Sequence, residues 1–435
     1  MLNQEKLIVK QFVKSFPVGQ KENPLIAKAK LKYGRALEEM LKKRCFEEKD
    51  ITKEQKKIVE RLSHPLWGPI FYKKDNKIFV KTKVGEAVRI LYSDVGEECK
   101  RIANLIAREY WKAGAHVSLI PYTSLQSKEH MDLIPEETAT EMHPSARIYV
   151  QTFDARIFLG GDEDDEWVKG LEMKMKLGAP VSQYIYHMSD KRKMRWCVFG
   201  WPIEKKKYYV NPAFYRKVYL KSISATFGSF VKKTCKYYYN ALYGKDKIRI
   251  TANDGTDLSF SIKGRPVLVA DGIMNEEKIK RGDFGLNIPD GEVFLAPCEH
   301  SANGDIVFDY VATHGFGLIR NLHIKFNNGK VVWFKASGDG TKRFKAFLDA
   351  NTGEKDRIAE LGIGTNPAAK FIGETIVDEK IFGSIHIAIG NNTGAYHGKN
   401  VASSHLDMIK IMNGKNGNIW ADGKLIMKDG RPVKV

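Results

Sequence analysis

Apolar positions in the first 80 residues recur at helical spacing. In LIAKAKLKYGRALEEMLKKR, Leu25, Ala29, Tyr33, Ala36, Leu37, Met40 and Leu41 mark one face, and Asn23–Pro24 supplies a cap and first turn. The pattern predicts a helical extension over 1–80 with no visible chemistry. It then changes to an apolar strand near Ala87–Tyr92, a helix from about Glu97 to Ala113 ended by Gly114, and a second strand at His116–Ile120. Two short strands around one helix make a βαβ unit, and strand-like runs at Ala146–Val150, Ala155–Leu159 and Cys197–Phe199 extend it. The expected fold over 81–246 is α/β with a parallel sheet. From Lys247 short alternating segments are punctuated by turn signals, Asn253–Asp254–Gly255, Asn327–Asn328–Gly329, Asp422–Gly423 and Asp429–Gly430. That predicts an α+β, β-rich domain over 247–435, with the boundary near Gly244.

Composition narrows the classes. The 435 residues are 43% apolar, enough for real cores, so wholesale disorder is excluded. No apolar run reaches the about eighteen residues of a membrane span, and MLNQEKLIVKQFVKSF spreads its charges instead of placing them before a greasy stretch. A membrane-spanning or classically secreted protein is not expected. Five cysteines (Cys45, Cys99, Cys197, Cys235, Cys298), without C-x-x-C pairing, read as free thiols in a reduced cytoplasm.

Charge adds a rival reading. The chain carries 71 Lys+Arg against 52 Asp+Glu, a net +19, and 14 of that surplus falls between Glu166 and Ile250. There bases alternate with aromatics, as in KKKYYVNPAFYRKVYLK and VKKTCKYYYNALYGKDK, a mixture able to hold phosphates and stack bases. Nucleic-acid binding through 166–250, with a non-catalytic C-terminal domain, is therefore an alternative. The favoured reading is an amphipathic helix opened by Asn211–Pro212, with Tyr and Phe facing a core, because no recognised nucleic-acid signature accompanies the patch. No G-x-G-x-x-G or Walker sequence follows the first strand. The acidic run Asp162, Glu163, Asp164, Asp165, Glu166 lacks the ligand alternation of an EF-hand and reads as a solvated loop.

The chemistry lies in the last third. In GSIHIAIG, Ile385, Ile387 and Ile389 alternate with Ser384, His386 and Ala388, so His386 faces away from the apolar side. In SSHLDMI the same rule puts His405 and Asp407 on one face, about 7 Å apart along the strand. An H-x-D pair can ligate a metal, and a surface pair would look identical. Glu292 opens EVFLAP, Glu360 sits in RIAELGIG, and Glu379 lies in VDEK, seven residues before His386. Charges inside apolar runs are costly to bury unless paired or metal-bound. Together the six supply four carboxylates and two imidazoles, the ligand set of a two-metal hydrolytic site, for which zinc, cobalt and manganese are all admissible.

The blocks DGEVFLAP, RIAELGIG, VDEK…IHIAIG, SSHLDMI and ADGKLIMKDG, with RITANDGTDLSFSI upstream, resemble in order those of the M29 metallopeptidases, the thermophilic aminopeptidase family. The resemblance covers 247–435 well, the βαβ region loosely and 1–80 not at all. It implies a two-metal aminopeptidase acting on peptides, a homodimer, and metal ligands at Glu292, Glu360, Glu379, His386, His405 and Asp407. Glu360 is the expected proton acceptor. The family's tyrosine seven residues after the first metal histidine is replaced here by Thr393, and Tyr396 in NNTGAYHG is the expected substitute for steadying an oxyanion. The interval between the histidine blocks is shorter than in the family, and Glu379 lies two residues further from His386. His397, beside Tyr396, reads as an exposed loop residue.

Overall fold

Two sheets organise the chain. The computed structural model describes residues 2–62, 69–313 and 315–433. The first sheet has five parallel strands, in the order Gly285–Ile288, Arg195–Phe199, Ala155–Leu159, Ala87–Ser93 and His116–Tyr122. The helix Glu97–Lys112 makes the crossover between Ala87–Ser93 and His116–Tyr122, burying Cys99, Ile102, Ala103, Ile106, Ala107 and Tyr110. One expected strand is absent: Ala146–Val150 lies inside the helix Pro144–Thr152. Pro144 at its first turn and the His143 side chain, which accepts from the Ser145 N–H, start that helix; Tyr149 and Val150 are buried while Ile148 is exposed, a helical rather than alternating pattern.

The second sheet has thirteen strands and holds the C-terminal region. At Asn328–Gly329, Asp422–Gly423 and Asp429–Gly430 both turn residues have positive φ, the geometry of tight hairpins whose twist matches the strands. A parallel sheet with helices followed by a β-rich antiparallel sheet is the arrangement the sequence pattern predicts.

The packing does not follow the divisions at 80/81 and 246/247. Helix Leu2–Ser15 buries Ile8, Val9, Phe12 and Phe16 in the parallel-sheet core, while Leu37, Met40, Phe46, Ile58 and Ile78 form a small core of their own. Helix Ser229–Leu242 places Val231, Cys235, Tyr238 and Leu242 under the antiparallel sheet. In the other direction, Leu286, Ile288, Ala369, Ile372 and Val377 enter the parallel-sheet core. The two halves thus share core residues in both directions.

The basic segment forms two helices, Pro212–Thr226 and Ser229–Leu242. Asn211 caps the first, its side chain accepting from Ala213 and Phe214 N–H. Tyr215, Tyr219 and Tyr238 are buried, which removes them from any base-stacking surface; Phe214, Phe230 and Tyr243 are exposed. Among the described residues no helix is long and apolar enough to cross a membrane.

Candidate active site

Four neighbouring antiparallel strands build the site: Glu292–Leu295, Ile358–Gly364, Ser384–Gly390 and His405–Ile411. Residues opposite one another in such a ladder point to the same face. Pairing Gly362 with His386, Glu360 with Ala388, and Ala388 with Asp407 therefore gathers the ionisable side chains on one face, with Glu292 opposite Gly364 at its edge. The other face carries Val293, Leu361, Ile363, Ile385, Ile387, Ile389, Leu406 and Met408, all in the apolar core. Between the ionisable groups stand Gly362, Gly364, Ala388 and Gly390, whose small size leaves room for long side chains to converge. A Cβ at Gly362 would overlap the His386 ring.

The contacts are close. Glu360 Oε1 lies 3.1 Å from His386 Nε2, and Glu360 Oε2 lies 3.0 Å from His405 Nε2. Asp407 Oδ1 is 3.4 Å from His405 Nε2 and 3.9 Å from His386 Nε2, and Glu292 Oε2 is 3.4 Å from His386 Nε2. Glu379 enters from the end of the short helix Thr375–Asp378, where its backbone N–H closes the last turn. The Tyr396 hydroxyl donates to Glu360 Oε2 at 2.7 Å, its ring edge-on to Phe294. His405 Nδ1 is 2.7 Å from the Asn391 carbonyl; donating there turns Nε2 toward the carboxylates. All six residues singled out in the sequence meet here, and Tyr396 with them. His397 is exposed, and its carbonyl accepts from Arg265.

Three sets of ligand atoms each lie within 4.8 Å of one another: Glu292, Glu360 and His386; Glu360, His405 and Asp407; Glu379, His386 and Asp407. Three buried atoms of this cluster, Glu292 Oε2, His386 Nδ1 and Asp407 Oδ1, have no hydrogen-bond partner. Buried polar atoms are rarely left so. Oxygen and imidazole donors at this spacing suit a divalent cation of the zinc, cobalt or manganese type.

Lys380 is the group that sequence reading missed. Its side chain is fully buried, with Nζ 2.5 Å from Glu292 Oε1 and 2.7 Å from Glu379 Oε1. The signal was present in VDEK, a second charge beside Glu379 followed by Ile381 and Phe382. Burial opposes its charge, but the two carboxylates overcome that and keep the ammonium protonated.

Electrostatics separate the carboxylates. Burial would raise Glu360, yet hydrogen bonds from His386 and His405 hold it well below the usual carboxylate range. Burial pushes Glu379 up to about 8, with Asp407 and Glu292 adding to it and Lys380 opposing. Burial disfavours charge on His386, but Glu360 and Glu292 outweigh it and raise the imidazole to about 9. His405 is also raised, chiefly by Asp407 and Glu360 against desolvation, although its side chain is 27% exposed and partly screened by solvent. Burial and Glu360 keep the Tyr396 hydroxyl protonated, hence a donor.

A cavity of about 400 Å³ opens over this face. The parallel-sheet half adds Arg156, Asp190, Trp196 and Phe284 to its lining. The acidic run does not line this cavity and is not a solvated loop. Glu163 is buried and accepts from the Ser124 and Leu125 N–H groups at the start of helix Ser124–Leu133, Asp164 pairs with Lys206, and Asp165 with the buried Lys205.

No curated protein matches the chain. Among solved structures, AmpT of Thermus thermophilus superposes with a TM-score of 0.59 at 18% identity, over 80% of this chain and 94% of that one. The 2,5-dihydroxypyridine dioxygenase of Pseudomonas putida KT2440 gives 0.50 at 15% identity, over 80% and 92%. At such identities these establish the fold and not the reaction, and one fold hosts different chemistries. The family model of the thermophilic metalloproteases (M29) matches residues 229–431, starting where helix Ser229–Leu242 begins to pack under the antiparallel sheet. Residues 229–431 of this chain are thus similar to the M29 metallopeptidase family.

Proposed function

We propose that the chain is a metal-dependent aminopeptidase, removing N-terminal residues from peptides. The observation that carries the reading is the convergence of Glu292, Glu360, Glu379, His386, His405 and Asp407 on one sheet face beneath a cavity of about 400 Å³. Divalent metal, as zinc, cobalt or manganese, would be held by these donors, and when bound it supplies a water of lowered pKa and polarises the scissile carbonyl. The sequence blocks imply two ions, and the buried ammonium of Lys380 bears on that number.

The chain's own groups divide the remaining work. Glu360, with both oxygens engaged and its proton affinity low, suits a ligand and orienting role; the sequence-based choice of it as proton acceptor sits poorly with that environment. Glu379, near 8, is matched to taking a proton from water and returning it to the leaving amine. Tyr396, kept protonated, would turn its one donor from Glu360 toward oxygen charge that develops on the substrate. The peptide would lie between the donors and Trp196 and Phe284, which line the same cavity.

A homodimer and a cytoplasmic place of action, the latter in keeping with five free cysteines, complete the reading. The nucleic-acid alternative loses support from the burial of Tyr215, Tyr219 and Tyr238. The test is to strip the protein with a chelator and assay aminoacyl anilides with Zn, Co or Mn added back. Hydrolysis restored by at least one ion is expected, and no hydrolysis with any of them would refute the enzyme reading.

A further inference from the structure

Lys380 sits where its charge competes with metal. Its ammonium binds one oxygen of Glu292 and one of Glu379, at 2.5 and 2.7 Å, and the side chain has no access to solvent. Two of the three candidate donor sets contain a carboxylate that Lys380 already holds: Glu292 with Glu360 and His386, and Glu379 with His386 and Asp407. The third, Glu360 with His405 and Asp407, contains neither.

We infer that Lys380 takes the place of a second cation, so that the site binds one divalent ion, on Glu360, His405 and Asp407. The inference rests on the reading of this cluster as a metal site and departs from the two ions implied by the sequence blocks. The physical reason is local. A divalent ion on the free oxygen of Glu292 or Glu379 would share its ligand with a fixed ammonium in a low-dielectric interior, where like charges repel strongly. One of the two carboxylate charges that would draw the second ion is already compensated. Glu360 and Asp407, by contrast, have imidazoles and no ammonium as their close neighbours. With one ion beside Glu360, Glu379 stands across the site as the carboxylate left to move a proton, oriented by Lys380.

Ions per chain decide the question. Metal-stripped full-length protein, titrated with Zn(II) or Mn(II) by calorimetry and checked by elemental analysis after dialysis, is expected to take up one ion, with any second at least about 100-fold weaker. Lys380→Met is expected to take up two. Two ions of comparable affinity in the unaltered protein overturn the inference, as does a Lys380→Met variant that melts cooperatively and still binds one. If Lys380→Met does not fold, the count in the unaltered protein decides alone. Two ions together with peptide cleavage remove only this inference, whereas no uptake at all removes the metallopeptidase reading as well.

Discussion

The Tyr396 hydroxyl donates to Glu360 Oε2 at 2.7 Å, joining the loop after one histidine strand to the carboxylate that both imidazoles share. Tyr396 stands three residues after Thr393, the position where the sequence blocks expect a tyrosine, so a shifted residue reaches the same cluster. Tyr396→Phe removes the donor and keeps the ring against Phe294. The expected result is a fall in kcat of about 100-fold, the scale of a lost oxyanion donor, with metal content unchanged. An unaltered kcat would assign the hydroxyl a purely structural role.

Glu360 and Glu379 should separate by what they lose. Glu360→Gln is expected to lose most of the bound metal, because Glu360 bridges both imidazoles. Glu379→Gln is expected to keep the ion and lose about 100-fold or more in kcat, as befits a proton carrier. Elemental analysis beside steady-state kinetics makes the comparison, and metal loss in Glu379→Gln with retention in Glu360→Gln would reverse the assignment.

Gly362 tests the strand register. It pairs with His386, and an added methyl would collide with the ring. Gly362→Ala is expected to displace that ring, which holds Glu360 Oε1, and so to weaken metal affinity about tenfold or more, in line with other changes that disturb ligand orientation. Calorimetric titration reads the affinity, and an unchanged value would mean that His386 does not need its present position.

Metal uptake should depend on pH with a definite sign. His386 is raised to about 9 and His405 is raised too, so both imidazoles carry protons near neutrality before metal binds. A ligand imidazole must be neutral. Affinity is therefore expected to rise as pH increases from 6 toward 9, with net proton release. Titrations at pH 7 in buffers of different ionisation enthalpy measure that release; none would mean that the imidazoles are already neutral.

The sequence carried the site further than it carried the packing. Alternation in GSIHIAIG and SSHLDMI assigned His386, His405 and Asp407 to faces correctly, because a strand's period of two survives in any sheet. Lys380 escaped because a single lysine beside a glutamate looks like an ordinary pair until the fold buries it. Ala146–Val150 was misjudged because a short apolar run does not separate strand from helix, and the deciding feature was His143–Pro144 before it. Glu163 read as solvated because its partners, the Ser124 and Leu125 N–H groups, lie about forty residues away. The interlocking of the two halves through Leu2–Ser15, Ser229–Leu242 and Gly285–Ile288 is a long-range property that local pattern does not carry.

The central claim is metal-dependent removal of N-terminal residues. Its most direct measurement follows one peptide by mass spectrometry, with a free or an acetylated N-terminus, in metal-loaded and metal-stripped protein. The account predicts stepwise loss of N-terminal residues from the free peptide only, and only with metal present. Cleavage of the acetylated peptide at the same rate, or of either peptide after stripping, would contradict it.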